Sequence, residues 1–171
     1  MERVLVSACL LGRPVRYDGT DNAVEDEVLR RWREEGRVVP ICPEMEGGLG
    51  TPRPPSEIVP VGETEKGGEV LDGRARVVTD EGDDVTDAYL DGARAALALV
   101  REHEIRVAVL KDGSPSCGTS YVYDGSFEGR AISGRGVTAA MLQRRGVEVF
   151  SEDELPAARR ALAALGTTPS E

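Results

Sequence analysis

The stretch Val109-Leu110-Lys111-Asp112-Gly113-Ser114-Pro115-Ser116-Cys117-Gly118 joins the end of an apolar run to a turn that carries a cysteine. Glycine and proline interrupt regular structure, and serine hydroxyls bond to nearby backbone, so the sequence predicts a tight loop that leaves a β-strand. Two other apolar runs end in the same way, at Cys9 and at Cys42, and the sequence contains these 3 cysteines only. We therefore expect three loops, each of which follows a strand and carries one cysteine.

The composition is that of one globular domain with an aliphatic core. Hydrophobic residues make up 40% of the chain and charged residues 30%, while aromatic residues make up only 4%. A chain of 171 residues can bury roughly 70% of its unfolded surface and needs no disulfides to be stable. We expect a single α/β domain over residues 1–166, with a frayed tail over 167–171.

Charge and hydropathy restrict the partners and the location. The formal net charge of −10 argues against a nucleic-acid polymer, which would need a basic surface, but it does not exclude a single nucleobase. No apolar run approaches the ~20 residues that span a bilayer, and the N-terminus lacks the apolar region of a signal peptide. We therefore expect a cytoplasmic protein with no membrane partner. The sequence does not set the oligomeric state.

Alternating strand and helix patterns predict a Rossmann-like, three-layer α/β fold, in which helices cover both faces of a small parallel sheet. Strands are expected over 3–8, 37–42, 106–111 and 147–150. Helices are expected from a cap at Asp21 or Asn22 to about Glu35, from a cap at Thr86 to about Glu104, over 136–145, and from the Ser151–Glu154 capping box to about Leu165.

Two segments interrupt this alternation. Residues 43–56 hold four prolines and three glycines, which argues against both helix and strand. Over 57–80, short β-like runs around paired glycines predict a small antiparallel β insertion. A second small hairpin or an excursion of the chain is expected from Tyr121 to Phe127.

The three cysteines are expected to meet at one edge of the sheet. Ligands of an open parallel sheet bind outside the carboxyl ends of its strands, and each cysteine lies at or just past such an end. A lone cysteine is more often a small buried apolar residue, but three of them at one edge favour a functional site. An odd number of cysteines in a reducing compartment argues against disulfides.

The chemistry of such a site has several possible forms. A nucleophilic cysteine would want a histidine base, and the single histidine, His103, falls between glutamates near the end of a helix, as a solvated residue does. Three soft thiolates suit zinc or an iron–sulfur cluster. A structural zinc site prefers four ligands and a CxxC spacing, whereas three cysteines on a four-iron cluster leave one iron open to substrate. The residues favour the cluster and leave zinc as the alternative.

Several short motifs resemble those of the bacterial thiouracil desulfidase family, and the resemblance runs from about residue 4 to residue 150. The motifs are Cys9-Leu10-Leu11-Gly12, Arg16-Tyr17-Asp18-Gly19, Cys42-Pro43-Glu44, Gly47-Gly48-Leu49-Gly50-Thr51-Pro52-Arg53-Pro54-Pro55, Asp84-Val85-Thr86, Lys111 with Ser114-Pro115-Ser116-Cys117-Gly118, and Gly134-Arg135-Gly136-Val137.

This resemblance implies a [4Fe-4S] cluster held by Cys9, Cys42 and Cys117. It implies an enzyme that removes sulfur from a thiolated nucleobase such as 2-thiouracil, or from a related small thiocarbonyl compound. Sulfur would leave as sulfide without net redox chemistry, while water supplies the oxygen. The alternative is a cluster- or zinc-binding sensor without turnover.

Within that function, Glu44 is the expected carboxylate that activates water or shuttles a proton. Ser114 is the candidate for proton donation at the leaving sulfur, and Ser116 is its substitute, although either serine could simply stabilise the turn.

Three cations, Arg16, Arg53 and Lys111, are candidates for binding substrate or for offsetting the charge of the cluster. Each of them could equally pair with an acidic neighbour. Asp18 and Glu46 are weaker acid–base candidates.

Overall fold

The protein is described here by a computed structural model that covers residues 1–61 and 66–167. The strands are β1 (Val4–Ser7), β2 (Val38–Ile41), β3 (Ser56–Val59), β4 (Arg76–Thr79), β5 (Val107–Leu110), β6 (Tyr121–Tyr123), β7 (Ala131–Ser133) and β8 (Glu148–Ser151). The helices are α1 (Glu27–Glu34), α2 (Pro43–Glu46), α3 (Lys66–Leu71), α4 (Thr86–Glu102), α5 (Val137–Arg144) and α6 (Leu155–Thr167), with short 3-10 turns at Ala8–Leu11 and Glu152–Glu154. Of the predicted tail over 167–171, residues 168–171 lie outside the described part of the chain.

The centre of the fold is a four-stranded parallel sheet in the order β2-β1-β5-β8. The central strands β1 and β5 are buried along their whole length. Strands that are covered on both faces read as continuous apolar runs, which is why these two segments showed no alternation with polar residues. The predicted α/β class is confirmed.

Helices cover both faces of the sheet, as predicted. Successive side chains of a strand point to opposite faces. Val4 and Val6 of β1 pack in one buried cluster with residues of α1 and α6. Leu5, between them, packs in a second cluster with residues of α4 and α5. The core is therefore divided by the sheet into two apolar layers. No described helix is long and apolar enough to cross a membrane.

The first helix begins later than the sequence predicted. Asp26 caps it, since its carboxylate accepts a hydrogen bond from the Val28 N–H at 2.7 Å. Asp21 instead closes a local turn with the Ala23 N–H at 2.8 Å. The segment between them is held away from helical geometry because the backbone N–H groups of residues 22 and 24 bond to the carbonyls of Cys9 and Leu10.

Two further local predictions were wrong. Thr86 does not cap α4 through its side chain, because its hydroxyl accepts the Val77 N–H at 2.9 Å, while Asp84 accepts the Thr86 N–H at 2.9 Å. Residues 43–56 do contain a helix, α2, whose first residue is Pro43. Proline is well suited to that first position, because the N–H it lacks would have no partner within the helix.

The antiparallel part of the predicted fold class is also confirmed. β3 pairs with β4 in the register Ile58↔Val77, and β6 pairs with β7. The helix α3 lies between β3 and β4 in the sequence, where the paired glycines Gly67 and Gly68 had suggested only a turn. The predicted bounds of the domain and of the insertion stay predictions.

Candidate active site

The candidate site lies where the chain reverses its direction across the sheet. From β1 the chain moves outward to β2 and then returns to the other side of β1 to form β5. Ligands of open α/β sheets bind at such a switch point, outside the carboxyl ends of the strands. The 3-10 turn that holds Cys9 follows β1, Cys42 follows β2 directly, and Cys117 lies in the loop after β5.

All three cysteines line one cavity of about 460 Å³ at this edge. Cys9 and Cys42 are half-buried and Cys117 is buried, and none of them forms a disulfide. The three loops therefore bring three free thiols to a common space. Within residues 1–61 and 66–167, no group of three or more His, Cys, Asp and Glu side chains is arranged so that it could hold a metal ion.

Burial dominates the electrostatics of these thiols. It raises the pKa of Cys9, where a hydrogen bond with Asn22 acts in the opposite direction. It also raises the pKa of Cys42, and it raises that of Cys117 well above the usual value. A thiolate is the form that binds a metal, and a positive charge nearby favours that form.

Glu44, in the first turn of α2, is the centre of a hydrogen-bonded network on the cavity wall. Its Oε2 atom accepts the Tyr89 hydroxyl at 2.8 Å and lies 3.3 Å from both Nε and Nη2 of Arg53. Its Oε1 atom accepts the Ser114 hydroxyl at 3.3 Å. Only 14% of the Glu44 side chain is exposed, so this carboxylate is held in a defined orientation beside the cysteines.

Arg53 lines the cavity, and its guanidinium donates to protein groups of the cavity wall. Beyond Glu44, its guanidinium donates to the backbone carbonyls of Val15 at 2.9 Å and Gly50 at 3.1 Å. Its side chain is 8% exposed. Its donors are thus directed to Glu44 and to two loops of the wall.

The two candidate serines have different surroundings. Ser114 lines the cavity, and its hydroxyl oxygen accepts the N–H groups of Ser116 at 3.0 Å and Cys117 at 3.1 Å. The Ser116 side chain is fully buried, and its hydroxyl pairs with that of Thr138 at 2.8 Å. The structure therefore brings Ser114 to the cavity and turns Ser116 into the core beside α5.

Lys111 reaches the cavity from the end of β5. Its ammonium group lies 2.8 Å from Glu152 Oε2 and donates to the Asp112 carbonyl at 2.9 Å. Burial lowers the pKa of Lys111, but the hydrogen bond and charge of Glu152 outweigh burial, and the net pKa is raised. Lys111 is therefore a fixed positive charge on the wall, where it also acts to lower the pKa of Cys9.

The remaining sequence candidates lie on the outer side of the site. Arg16 lines the cavity, donates weakly to the Thr20 hydroxyl at 3.4 Å, and stacks on the Tyr17 ring at 5.9 Å from its centroid. The Asp18 carboxylate accepts hydrogen bonds from the backbone N–H and the hydroxyl of Thr20. Glu46 is exposed on α2. The structure therefore does not place Asp18 or Glu46 on the cavity.

Sequence reasoning missed three residues that organise the site. Asp112 collects the N–H groups of residues 113, 119, 120 and 121 and the Ser120 hydroxyl, and so shapes the third cysteine loop. Its position beside Gly113 in a turn was a usable signal, because aspartate often bonds to local backbone. Glu152 and Tyr89 reach the site from distant elements, and neither carries a local sequence signal for such a role.

Three comparisons with known proteins point in one direction. Residues 4–154 match the family model described as 2-thiouracil desulfurase. The chain is 45% identical over 152 residues to the uncharacterized protein YbbK of Bacillus subtilis (strain 168), an alignment that covers 89% of this chain and 97% of YbbK. A solved structure described as the [4Fe-4S]-dependent thiouracil desulfidase TudS is 46% identical, with a TM-score of 0.85, and covers 96% of this chain and 99% of its own.

Proposed function

Because the chain belongs to the 2-thiouracil desulfurase family, we propose that it is an iron–sulfur-dependent desulfidase acting on small thiolated compounds. The substrate is a thiolated nucleobase, with 2-thiouracil as the model, or a related thiocarbonyl compound. The overall reaction converts C=S and water into C=O and hydrogen sulfide. Atoms balance without any external oxidant or reductant, so the site needs to supply only sulfur binding and proton transfer.

The donor set fits a [4Fe-4S] cluster. A four-iron cluster binds each cysteine through a different iron, so its ligands surround a space and do not converge on one point. Cys9, Cys42 and Cys117 are free and surround one cavity of about 460 Å³. Held by these three cysteines, such a cluster would supply one iron open to the sulfur of a thiocarbonyl group.

Glu44 activates the water in this proposal. Its Oε2 atom accepts Tyr89 and Arg53, whereas Oε1 accepts the longer hydrogen bond from Ser114, and both Glu44 and Ser114 line the cavity. A carboxylate held within hydrogen-bond reach of a bound water can take its proton as the oxygen attacks the C=S carbon. The Ser114 hydroxyl lies 3.3 Å from Glu44 Oε1 and can return a proton to the departing sulfur.

The cations share two further tasks. Lys111 provides positive charge next to Cys9, which favours the thiolate and offsets the negative charge that develops on sulfur. Arg16, at the outer wall, is available to bind a carbonyl oxygen of the substrate. Arg53 acts indirectly, because its donors already hold Glu44 and the neighbouring loops.

The observation that carries the proposal is the meeting of three free cysteines and one oriented carboxylate on a single cavity. It is tested by anaerobic reconstitution with iron and sulfide, followed by assay of sulfide release from 2-thiouracil. We expect broad visible absorbance, about four irons per chain and uracil as the product. Zinc in place of iron, or a colourless iron-free chain, would contradict the proposed chemistry.

Glu44→Ala separates an enzyme from a binding protein. Loss of turnover with the visible spectrum and iron content intact supports catalysis by Glu44. A wild-type chain that keeps its cluster, binds 2-thiouracil and releases no sulfide would instead indicate a sensor or binding protein.

A further inference from the structure

We propose that Tyr89 is a positioning residue for the reaction, which helps to hold Glu44 Oε2 in place so that Oε1, beside Ser114, is presented to the substrate water. The inference rests on the proposed function. It concerns a residue on α4 that lies far in the sequence from each cysteine loop and that no sequence motif singled out.

The contact between the two side chains is short and buried. The Tyr89 hydroxyl donates to Glu44 Oε2 at 2.8 Å, and Tyr89 as a whole is 2% exposed. Burial and the neighbouring Glu44 charge raise the pKa of Tyr89 well above its usual value. Both effects favour the neutral phenol, which is the form that donates to Glu44.

The two oxygens of Glu44 are held unequally. Oε2 receives Tyr89 at 2.8 Å and two nitrogens of Arg53 at 3.3 Å, whereas Oε1 receives the Ser114 hydroxyl at 3.3 Å. The shortest contact therefore acts on Oε2, whereas Oε1 receives one longer contact, from Ser114, which lines the same cavity as Glu44. A carboxylate fixed in this way presents one lone-pair direction to a water molecule, as a general base requires.

The backbone is built to allow this contact. A Cβ atom on Gly92 would lie 2.0 Å from the Pro43 carbonyl oxygen, and one on Gly47 would lie 2.0 Å from the Ala88 carbonyl oxygen. The two glycines therefore let α2 and α4 approach through their backbones. Tyr89 lies almost one turn before Gly92, so this close approach brings its hydroxyl to Glu44.

A buried tyrosine also needs a partner for purely structural reasons, so the test must separate positioning from stability. Tyr89→Phe removes one oxygen and keeps the ring. We expect kcat for sulfide release to fall about 10- to 100-fold, as is typical when a residue that orients a ligand or base through a hydrogen bond is replaced. KM, iron content and the visible spectrum should stay close to those of the wild type.

Thr86→Val is the matched control. Thr86 lies on the same helix, its hydroxyl accepts the Val77 N–H at 2.9 Å, and it does not line the cavity. This variant also loses a partly buried hydroxyl contact, so its melting temperature should fall while kcat remains within about twofold of the wild type.

A double-mutant cycle in the cluster-free chain provides a readout without activity. The unfolding free energies of Tyr89→Phe, Glu44→Gln and the double variant should be non-additive, because the two side chains share one hydrogen bond. Additive values would overturn the contact. If Tyr89→Phe releases sulfide as fast as the wild type, the positioning role of Tyr89 is wrong and the proposed function still stands. If the cluster-loaded wild type itself releases no sulfide, the proposed function is wrong.

Discussion

Ser114 Oγ lies 3.3 Å from Glu44 Oε1, and this contact joins the loop of the third cysteine to the helix that follows the second. The same serine oxygen accepts the Cys117 N–H at 3.1 Å. One hydroxyl therefore sets both the conformation of a proposed cluster ligand and the surroundings of the proposed base. A substitution that alters the conformation of the third cysteine loop is therefore expected to alter the position of Glu44 as well.

Replacement of Ser114 by alanine tests this link. The variant loses the hydroxyl beside Glu44 and two N–H acceptor contacts in the turn, so we expect kcat to fall by at least about tenfold. Ser116→Ala loses only the contact with Thr138 and should cost about 1 kcal/mol of stability with a smaller effect on kcat. Steady-state sulfide release and urea unfolding distinguish the two; a larger loss of kcat in Ser116→Ala would contradict the assignment.

The Lys111–Glu152 pair makes a prediction about charge. The side chains are 25% and 15% exposed and their charged atoms are 2.8 Å apart. Glu152→Gln removes the partner charge and leaves Lys111 less firmly held, so we expect a moderate loss of kcat/KM, and a larger loss in Lys111→Met. Breaking the pair should also cost about 1–3 kcal/mol of stability, measured by urea unfolding.

Arg94→Ala is the control for that pair. Arg94 and Asp91 are 2.8 Å apart but 63% and 61% exposed. Exposed pairs contribute little, so stability should change by less than about 1 kcal/mol and kcat/KM should stay constant. A similar stability loss for both pairs would mean that burial of the Lys111 pair has no energetic consequence.

Asp112 predicts how stability depends on pH. Burial alone would raise its pKa, but hydrogen bonds from Ser120 and the surrounding backbone outweigh burial, and the net pKa is lowered. A lowered folded-state pKa stabilises the fold above the unfolded value of about 3.9, and that stability is lost as the pH falls through the folded value. The wild type should therefore lose stability below about pH 5 through this group.

Asp112→Asn removes that titration. It should lower the free energy of unfolding by about 2–3 kcal/mol near neutral pH, because the charged acceptor is lost. The decrease of that free energy below about pH 5 should then be smaller than in the wild type. Urea unfolding at a series of pH values measures both effects. Asp80→Asn, an exposed position, is the control and should leave the curve unchanged. If the free energy of unfolding of Asp112→Asn decreases with falling pH as steeply as that of the wild type, the proposed role of this carboxylate is wrong.

The sequence was informative where structure is local or repeats along the chain. Continuous apolar runs such as Val107–Leu110 predicted buried parallel strands, and the position of Cys42 just past a strand end followed from the same pattern. Two serines two residues apart in one turn could not be told apart, because which one faces a cavity depends on the packing of α5. Tyr89 could not be found, because its role comes from a contact between helices.

Because α2 and α4 approach closely, we expect Gly92→Ala to change stability in the direction opposite to that given by helix propensity. Alanine is a better helix former than glycine by about 1 kcal/mol, so propensity alone predicts that Gly92→Ala stabilises α4. The new Cβ would instead lie 2.0 Å from the Pro43 carbonyl oxygen. Because backbone cannot yield as a flexible side chain does, we expect a net loss of about 1–3 kcal/mol.

Gly166→Ala makes the same substitution in α6, where an added Cβ meets nothing within 4 Å. It should be neutral or stabilising by up to about 1 kcal/mol, and it should leave sulfide release unchanged. Gly92→Ala should also lower kcat, because moving α2 away from α4 separates Glu44 from the Tyr89 hydroxyl. Urea unfolding and sulfide assays of the two variants test this prediction. Equal changes in the free energy of unfolding would show that α2 can move away from α4 without cost. The orientation of Glu44 would then not depend on this helix contact.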